Sequence, residues 1–173
     1  MQTQTLATTP DLAVPLPSPS PAHCRIRVTP RGEDRCVEAA EALAAGETIL
    51  VFTGRRVRRP DRYSVQVGPR THVAAPEGIP WDQAVSLYGW RYLNHSCEPN
   101  AYLRGVELVA LVDIAGGGEV TFDYNTTEWD MSHPFSCACG TPSCVGTVRG
   151  FRHLGEAART RLHPFVASHL RLR

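Results

Sequence analysis

Three cysteines near the C-terminus have a spacing that suits a metal site. Cys137, Cys139 and Cys144 lie within eight residues of one another, and clustered thiols in a protein that is not exported bind metal more often than they form disulfides. A structural zinc ion takes four thiolate or imidazole ligands in a tetrahedron, so the cluster needs a fourth ligand. His133 is one candidate, and a disulfide between neighbouring thiols is the alternative without metal.

Two other segments place polar side chains where a plain strand would alternate. Residues 91–101 read RYLNHSCEPNA, with Asn, His, Ser and Cys in succession, and residues 118–125 read GEVTFDYN. Taken singly, each has an ordinary explanation. The first would be a loop with an incidental histidine, and Tyr124 would be a strand aromatic with its hydroxyl at the surface. Their meaning depends on the elements that hold them.

The pattern around these segments predicts a β-rich α+β domain. Short runs of apolar and β-branched residues, bounded by turn residues, are typical of strands. Such runs occur at CRIRV, TILVFTG, YSVQVG, VELVALVDI and EVTFDY. Residues 80–88 predict a short helix, and the alanines of 38–47 allow another that Gly46 would end. Residues 151–173 predict a helix interrupted near Pro164.

Composition indicates one globular domain with a distinct N-terminal tail. The chain has 173 residues, 18 arginines with no lysine, 17 acidic residues and 42% hydrophobic residues. No apolar run reaches the ~20 residues of a membrane helix, and no signal peptide is recognisable. We therefore expect a cytoplasmic protein without a membrane segment. Residues 1–22 hold five of the 14 prolines and predict a disordered tail, or a proline-rich ligand for a partner.

The three motifs together resemble the SET-domain protein lysine methyltransferases. RYLNHSCEPNA resembles the family's asparagine–histidine–serine–cysteine signature, GGGEVTFDY the strand ending in its catalytic tyrosine, and C-x-C-x4-C its post-SET zinc motif. They occur in the family's order. The resemblance implies a SET-domain β-clip fold with a knot-like crossing. It divides the chain into the tail at 1–22, a SET domain at 23–130, a post-SET zinc segment at 131–150 and a C-terminal helical extension at 151–173.

The resemblance also implies a role for individual residues. Tyr124 corresponds to the catalytic tyrosine, and Asn94 and His95 to the segment that forms the crossing and binds S-adenosylmethionine. Phe122 corresponds to the product-specificity position, where phenylalanine implies di- or trimethylation of the lysine. Tyr63 is a candidate for a second aromatic of the substrate channel, with a buried strand tyrosine as the alternative.

The resemblance supplies the missing zinc ligand. In the family the fourth ligand comes from the cysteine of the signature, here Cys97, which ranks above His133. Zinc would then tie the C-terminal segment over the active site. Cys24 and Cys36 fit small buried apolar residues better than ligands.

One departure concerns the cofactor-binding edge. The family has a glycine–any–glycine turn where the backbone approaches the cofactor, and its spacing falls here on Asp34, Arg35 and Cys36. We assign Arg35 and Cys36 to that edge, although neither glycine is present. The turn has shifted to Gly32, or binding is weaker, or the protein is a non-catalytic relative. The Gly-Asn that commonly precedes the signature is replaced by Leu87 and Tyr88.

The predicted substrate is a lysine in a basic segment of another protein. Residues 105–130 carry six acidic residues and no basic one, so this stretch would attract such a segment, unless it is simply a solvated acidic face. The arginine-rich composition indicates a bacterial protein, with delivery into a host as an alternative to the cytoplasm. We expect a monomer.

Two other classes of function compete with the enzyme. The first is a non-catalytic SET-fold module that binds a basic peptide. The second is a zinc-stabilised nucleic-acid-binding domain built on the five arginines of RRVRRPDR at 55–62. A formal net charge of +1 argues against nucleic acid, and the arginine stretch is interpreted as a solvated loop because no aromatic platform is interleaved.

Overall fold

The structure is a computed structural model that describes residues 25–171. The predictions for the tail at 1–22 and for Cys24 concern residues outside this range. Within it, no helix has the length and apolar character needed to cross a bilayer.

The described part of the chain begins with an antiparallel hairpin of two strands, β1 (Ile26–Arg31) and β2 (Asp34–Ala39). Gly32 lies in the turn with a φ of 63°, a conformation that glycine adopts without steric cost. The positions of the expected glycine–any–glycine turn therefore lie at the start of a strand. The tight turn itself falls at Gly32.

Two three-stranded antiparallel sheets follow. The first has the order β3 (Thr48–Val51), β9 (Glu107–Ala110), β8 (Ala101–Arg104). The second has the order β4 (Arg55–Val57), β6 (Thr71–Ala74), β5 (Val65–Gly68). Part of the arginine stretch that we expected to be a loop is thus strand β4, because its backbone pairs with β6.

A helix and two pairs of short strands pack around the larger apolar core. Helix α1 (Trp81–Tyr88) confirms the helix predicted at 80–88 and leads into a 3-10 turn at Gly89–Tyr92. The signature is therefore preceded by helix and not by a strand. Strands β7 (Asn94–His95) and β10 (Thr121–Phe122) pair in parallel, and β11 (Phe135–Ser136) pairs with β12 (Thr147–Val148).

The helix allowed at 38–47 is wrong. Leu43 is only 2% exposed, and its backbone exchanges two hydrogen bonds of 2.8 Å with Ile114. Burial of Leu43 against a distant segment outweighs the helix propensity of the alanines, which is worth less than about 1 kcal/mol per residue. The predicted strands exist. All but β1 are shorter than the apolar runs that indicated them.

The C-terminal extension is helical and interrupted at the proline, as predicted. Helix α2 (Glu156–Leu162) ends in a 3-10 turn at His163–Phe165, and α3 (Ser168–Arg171) follows. Leu154, Leu162, Val166 and Leu170 form a second apolar cluster against Trp129 and Val145. The extension therefore packs on both the segment after Tyr124 and the cysteine-rich segment.

Candidate active site and cysteine cluster

The parallel pair β7–β10 brings the two sequence motifs together. Thr121 lies opposite Asn94 and Phe122 opposite His95. Asn100 fixes this arrangement, because its side-chain amide donates to the Glu119 carbonyl (2.7 Å) and accepts from the Thr121 N–H (2.9 Å). Residues far apart in sequence thus form one site.

Tyr124 lies at the end of β10, where the chain turns sharply. The Asp123 carboxylate accepts a hydrogen bond from the Asn125 N–H (2.9 Å) and so starts the 3-10 turn at Tyr124–Thr126. The Tyr124 hydroxyl donates to the carbonyl of Leu93 over 2.5 Å. Burial raises the pKa of Tyr124 above its ordinary value of 10.0, so the phenol is neutral at physiological pH.

His95 connects Tyr124 to the cysteines. The Tyr124 N–H donates to His95 Nδ1 (3.2 Å), so Nδ1 accepts and the proton of the neutral ring is on Nε2. Nε2 lies 3.2 Å from Cys97 Sγ and donates to it. Burial lowers the pKa of His95 to about 4, which keeps the ring neutral.

Aromatic rings surround the Tyr124 side chain. The rings of Phe122, His95 and Phe135 have centroids 4.8, 5.3 and 5.9 Å from that of Tyr124. The sequence did not single out Phe135, although this aromatic residue lies only two positions before Cys137. It comes from the cysteine-rich segment and is 36% exposed, so that segment forms one wall of the site.

Tyr63 does not join this aromatic group. Its ring contacts are with the guanidinium groups of Arg91 (4.7 Å) and Arg62 (5.8 Å), and it is 47% exposed. It lines a cavity of about 200 Å³ together with Arg91, Asp61 and Glu77. The alternative of a buried strand tyrosine is wrong, because Tyr63 lies before strand β5 and is half exposed. Its assignment to the substrate channel stays a prediction.

Asn94 is held by the hairpin and by Glu119. Its side-chain amide donates to the carbonyl oxygen of Arg35 (3.1 Å) and to Glu119 Oε1 (2.9 Å). The other carboxylate oxygen of Glu119 pairs with Arg31. The predicted edge residue Arg35 thus meets the signature through its backbone, and its side chain stacks on Trp81 at 4.6 Å.

Cys36 lies in the same edge but points into the hairpin. Its thiol is 3.1 Å from the hydroxyl of Thr29 on the opposite strand, and the residue is 3% exposed. Cys36 is therefore a small buried residue, as expected, and it lies outside the group of four clustered cysteines.

Four thiols form a cluster between the signature and the C-terminal segment. The sulfur atoms of Cys97, Cys137, Cys139 and Cys144 all lie within 4.8 Å of one another, with 3.9 Å between Cys97 and Cys137. Four sulfurs at the usual Zn–S distance of ~2.3 Å in a tetrahedron are about 3.8 Å apart. These four cysteines are free thiols, so the disulfide alternative is wrong.

The surroundings of the cluster suit thiolate ligands. The N–H groups of Val145 and Gly146 donate to the sulfurs of Cys97 (3.4 Å) and Cys144 (3.5 Å). Burial raises the pKa of Cys137 to about 11, so a bound cation is what would keep this thiol ionised at neutral pH. His133 lies outside the cluster, with its Nδ1 2.9 Å from the Ser132 hydroxyl.

The acidic stretch does not form a free acidic face. Each of its six carboxylates has a partner within the described part of the chain. The partners are the Arg104 side chain for Glu107, the Ala45 N–H for Asp113, Arg31 and Asn94 for Glu119, Asn125 for Asp123, the Gln66 N–H for Glu128, and Arg152 with His153 for Asp130. The predicted attraction of a basic segment by this stretch is therefore unsupported.

Comparison with known proteins agrees with these motifs. A family model described as the SET domain matches residues 34–125, just over half of the chain. "Methyltransferase flvH" of Aspergillus flavus is 36% identical over 81 residues, which cover 43% of this chain and 46% of that protein. A Saccharomyces cerevisiae "Histone-lysine N-methyltransferase, H3 lysine-4 specific" is 31% identical over 124 residues, which cover 62% of this chain and 12% of that protein.

The solved structures agree on the fold. The crystal structure of KRYPTONITE in complex with mCHG DNA and SAH has a TM-score of 0.55 at 22% identity, and the match covers 71% of this chain and 28% of that one. The chain matches less than half the length of these relatives. On the match of the family model to residues 34–125, the chain belongs to the SET-domain family.

Proposed function

We propose that the protein transfers methyl groups from S-adenosylmethionine to a lysine side chain of another protein. The observation that carries this proposal is the position of Tyr124, whose hydroxyl is bound to Leu93 directly before Asn94 and His95. The names of the two curated relatives support methyl transfer. The alternative is a SET-fold module that binds a basic peptide without transferring methyl.

The cofactor would be held by the signature and the hairpin edge. We assign Asn94, His95 and the backbone of Arg35 and Cys36 to it, since Asn94 and Arg35 are in direct contact. When bound, S-adenosylmethionine supplies a methyl group on a positively charged sulfur.

We propose that the cavity lined by Tyr63 and Arg91 takes the carboxylate of the same molecule. Arg91, three residues before Asn94, lines this cavity, and its buried Nε has no hydrogen-bond partner among the described residues. A guanidinium donor of this kind suits a carboxylate, and the cofactor carries one.

Tyr124 acts in this proposal as a neutral hydroxyl and not as a base. Because burial raises its pKa, it cannot take a proton from a lysine ammonium at neutral pH. The lysine, with a reference pKa of ~10.4, must lose its proton to solvent before its nitrogen can attack. Tyr124, Phe122 and Phe135 would orient the neutral amine, and such positioning is worth several kcal/mol in a displacement reaction.

A structural zinc ion would complete the site. We propose that Cys97, Cys137, Cys139 and Cys144 bind it. Phe135 lies two residues before Cys137, so the metal would fix the ring that stands 5.9 Å from Tyr124. The zinc would have no open position, since all four ligands come from the protein.

We propose that the substrate is a lysine in a basic segment of another protein. The chain contains no lysine, so it cannot methylate its own lysine side chains. Phe122 at the specificity position supports di- or trimethylation. We further propose a monomer that acts in the cytoplasm.

The test is transfer of labelled methyl from S-adenosylmethionine to a cell lysate and to a histone mixture, with Tyr124→Phe as control. We expect label on lysine of another protein, and a loss of at least tenfold in Tyr124→Phe with the fold intact. Equal labelling by both proteins would remove Tyr124 from the mechanism. Absence of labelling and of cofactor binding would favour the peptide-binding module.

A further inference from the structure

The largest concentration of positive charge lies on the sheet β4–β6–β5. Residues 55–70 contain six arginines and one aspartate, a formal charge of +5, whereas the whole chain carries +1. We predicted from the net charge of the whole chain that nucleic acid is not a partner. That net charge averages over a strongly uneven distribution of arginines.

Strand register gathers three of these arginines at one end of the sheet. In the pairing of β4 with β6, Val57 lies opposite His72, so Arg58 and Arg59 leave β4 where β6 begins. Arg70 occupies the turn from β5 into β6 at that same end, since Gly68 pairs with Thr71. We name Arg58, Arg59 and Arg70 the basic end of the sheet.

The basic end carries no internal counter-charge. All three arginines are exposed, and none forms an ion pair within residues 25–171. The one nearby acid, Asp61, uses its carboxylate to accept the N–H groups of Tyr63 and Ser64, each at 2.7 Å. Elsewhere, the exposed Arg104 and Arg152 are paired with acids. The positive charges of the three arginines are held close together and have no counter-charge, so this surface suits an anionic partner.

We propose that the basic end of the sheet binds the phosphate backbone of a nucleic acid. Guanidinium groups match phosphate geometry in pairs of hydrogen bonds. A protein partner with an acidic surface would also need apolar anchors. The large apolar side chains exposed in the described chain are Tyr63, Trp81, Val112 and Phe135, and none belongs to this end of the sheet. Phosphate contacts need no such anchors.

This proposal is independent of methyl transfer, because it uses residues outside the candidate active site. A basic substrate segment would be repelled by the basic end of the sheet, whereas a nucleic acid would attract both. Binding to nucleic acid would therefore place the protein next to basic proteins that occupy the same polymer.

The experiment measures fluorescence anisotropy of a labelled 20-nucleotide single strand and a 20-base-pair duplex with the full-length, zinc-loaded chain at 50, 100 and 200 mM NaCl. Arg59→Glu and Arg70→Glu test the basic end from two points of the chain. Arg149→Glu is the matched control, because Arg149 is also exposed without an ion pair and the change in charge is the same. Thermal unfolding of each variant checks the fold.

Three phosphate contacts predict a slope of log K against log[salt] of about −2 to −3. Each variant at the basic end should reduce that slope by about one unit or more, while Arg149→Glu leaves it unchanged. Three results would overturn the proposal: no binding at 50 mM NaCl, equal weakening by Arg149→Glu, or displacement of the oligonucleotide by polyglutamate at equal charge concentration. Displacement by polyglutamate would assign the surface to an acidic protein. Absence of binding at 50 mM NaCl would mean that the arginines form a charged strand edge that resists aggregation.

Discussion

Cys97→Ser and Cys36→Ser form a matched pair that separates metal binding from burial. Both cysteines are buried free thiols, with 1% and 3% exposure, and both substitutions replace sulfur by a hydroxyl. Only Cys97 lies in the four-thiol cluster. We expect Cys97→Ser to lose zinc and Cys36→Ser to keep one zinc per chain.

The magnitude follows from the number of ligands. Structural zinc sites contribute roughly 10–16 kcal/mol of apparent binding free energy at neutral pH, or about 3 kcal/mol for each of four ligands. Loss of one ligand should therefore raise the zinc dissociation constant by about two orders of magnitude. Cys97→Ser also removes the sulfur that accepts from Val145 and His95. In Cys36→Ser the new hydroxyl can pair with Thr29, which limits the cost to about 1 kcal/mol.

The assay is zinc content after dialysis, followed by competition with a chromogenic chelator. Methyl transfer should fall together with zinc in Cys97→Ser, because Phe135 depends on the metal for its place beside Tyr124. Unchanged zinc affinity in Cys97→Ser, or zinc loss in Cys36→Ser, would refute the assignment of ligands.

Three further predictions address the site and its support. Phe122→Tyr should shift products toward monomethyl-lysine in mass spectra of the modified protein, and an unchanged distribution would contradict the role given to Phe122. Gly150→Ala should lower the free energy of unfolding in urea by about 2–4 kcal/mol, since φ is 100° and a Cβ would lie 2.7 Å from the Trp129 carbonyl oxygen. Gly155→Ala, with nothing within 4 Å, should stay within about 0.5 kcal/mol, and equal effects of the two would be inconsistent with this reasoning. The transfer rate should rise from pH 7 to 9 as the substrate lysine loses its proton. No decline is expected near pH 10, because burial raises the pKa of Tyr124. A decline near pH 10 would assign an ionising phenol to the mechanism.

The sequence predicted the parts of the site that are encoded in short motifs. Cys97 lies with the three C-terminal cysteines, and Asn94–His95 pairs with Thr121–Phe122, because each motif has a fixed local spacing and the family fixes their order. Zinc binding by the four cysteines stays a prediction. The position of Tyr63 could not be predicted in the same way. Its neighbour Arg91 is 28 residues away in sequence, and only the tertiary fold brings the Arg91 guanidinium to 4.7 Å from the Tyr63 ring.

The same limit explains the error on residues 38–47 and the partners of the acidic stretch that the sequence did not show. Alanine content favours helix locally, but Leu43 reaches the core only in an extended segment paired with Ile114. The acidic residues at 105–130 suggested a free surface because their partners, such as Arg31 for Glu119, lie up to 88 positions away. Composition counts charges but does not show which partners they have in the fold.

The absence of the glycine–any–glycine turn has a structural answer that favours an active enzyme. In β2, Cys36 turns its thiol into the hairpin toward Thr29, and the side chain of Arg35 is held on Trp81. At this edge the side chain of Asn94 contacts the carbonyl oxygen of Arg35. The hairpin therefore still approaches the signature through its backbone. Glycine at position 36 would remove a side chain that already points into the hairpin, while Gly32 provides the positive φ of the turn. The tight turn therefore lies two residues nearer the N-terminus, and a main-chain atom still meets Asn94 at the edge, which supports the proposed enzyme over the proposed non-catalytic module.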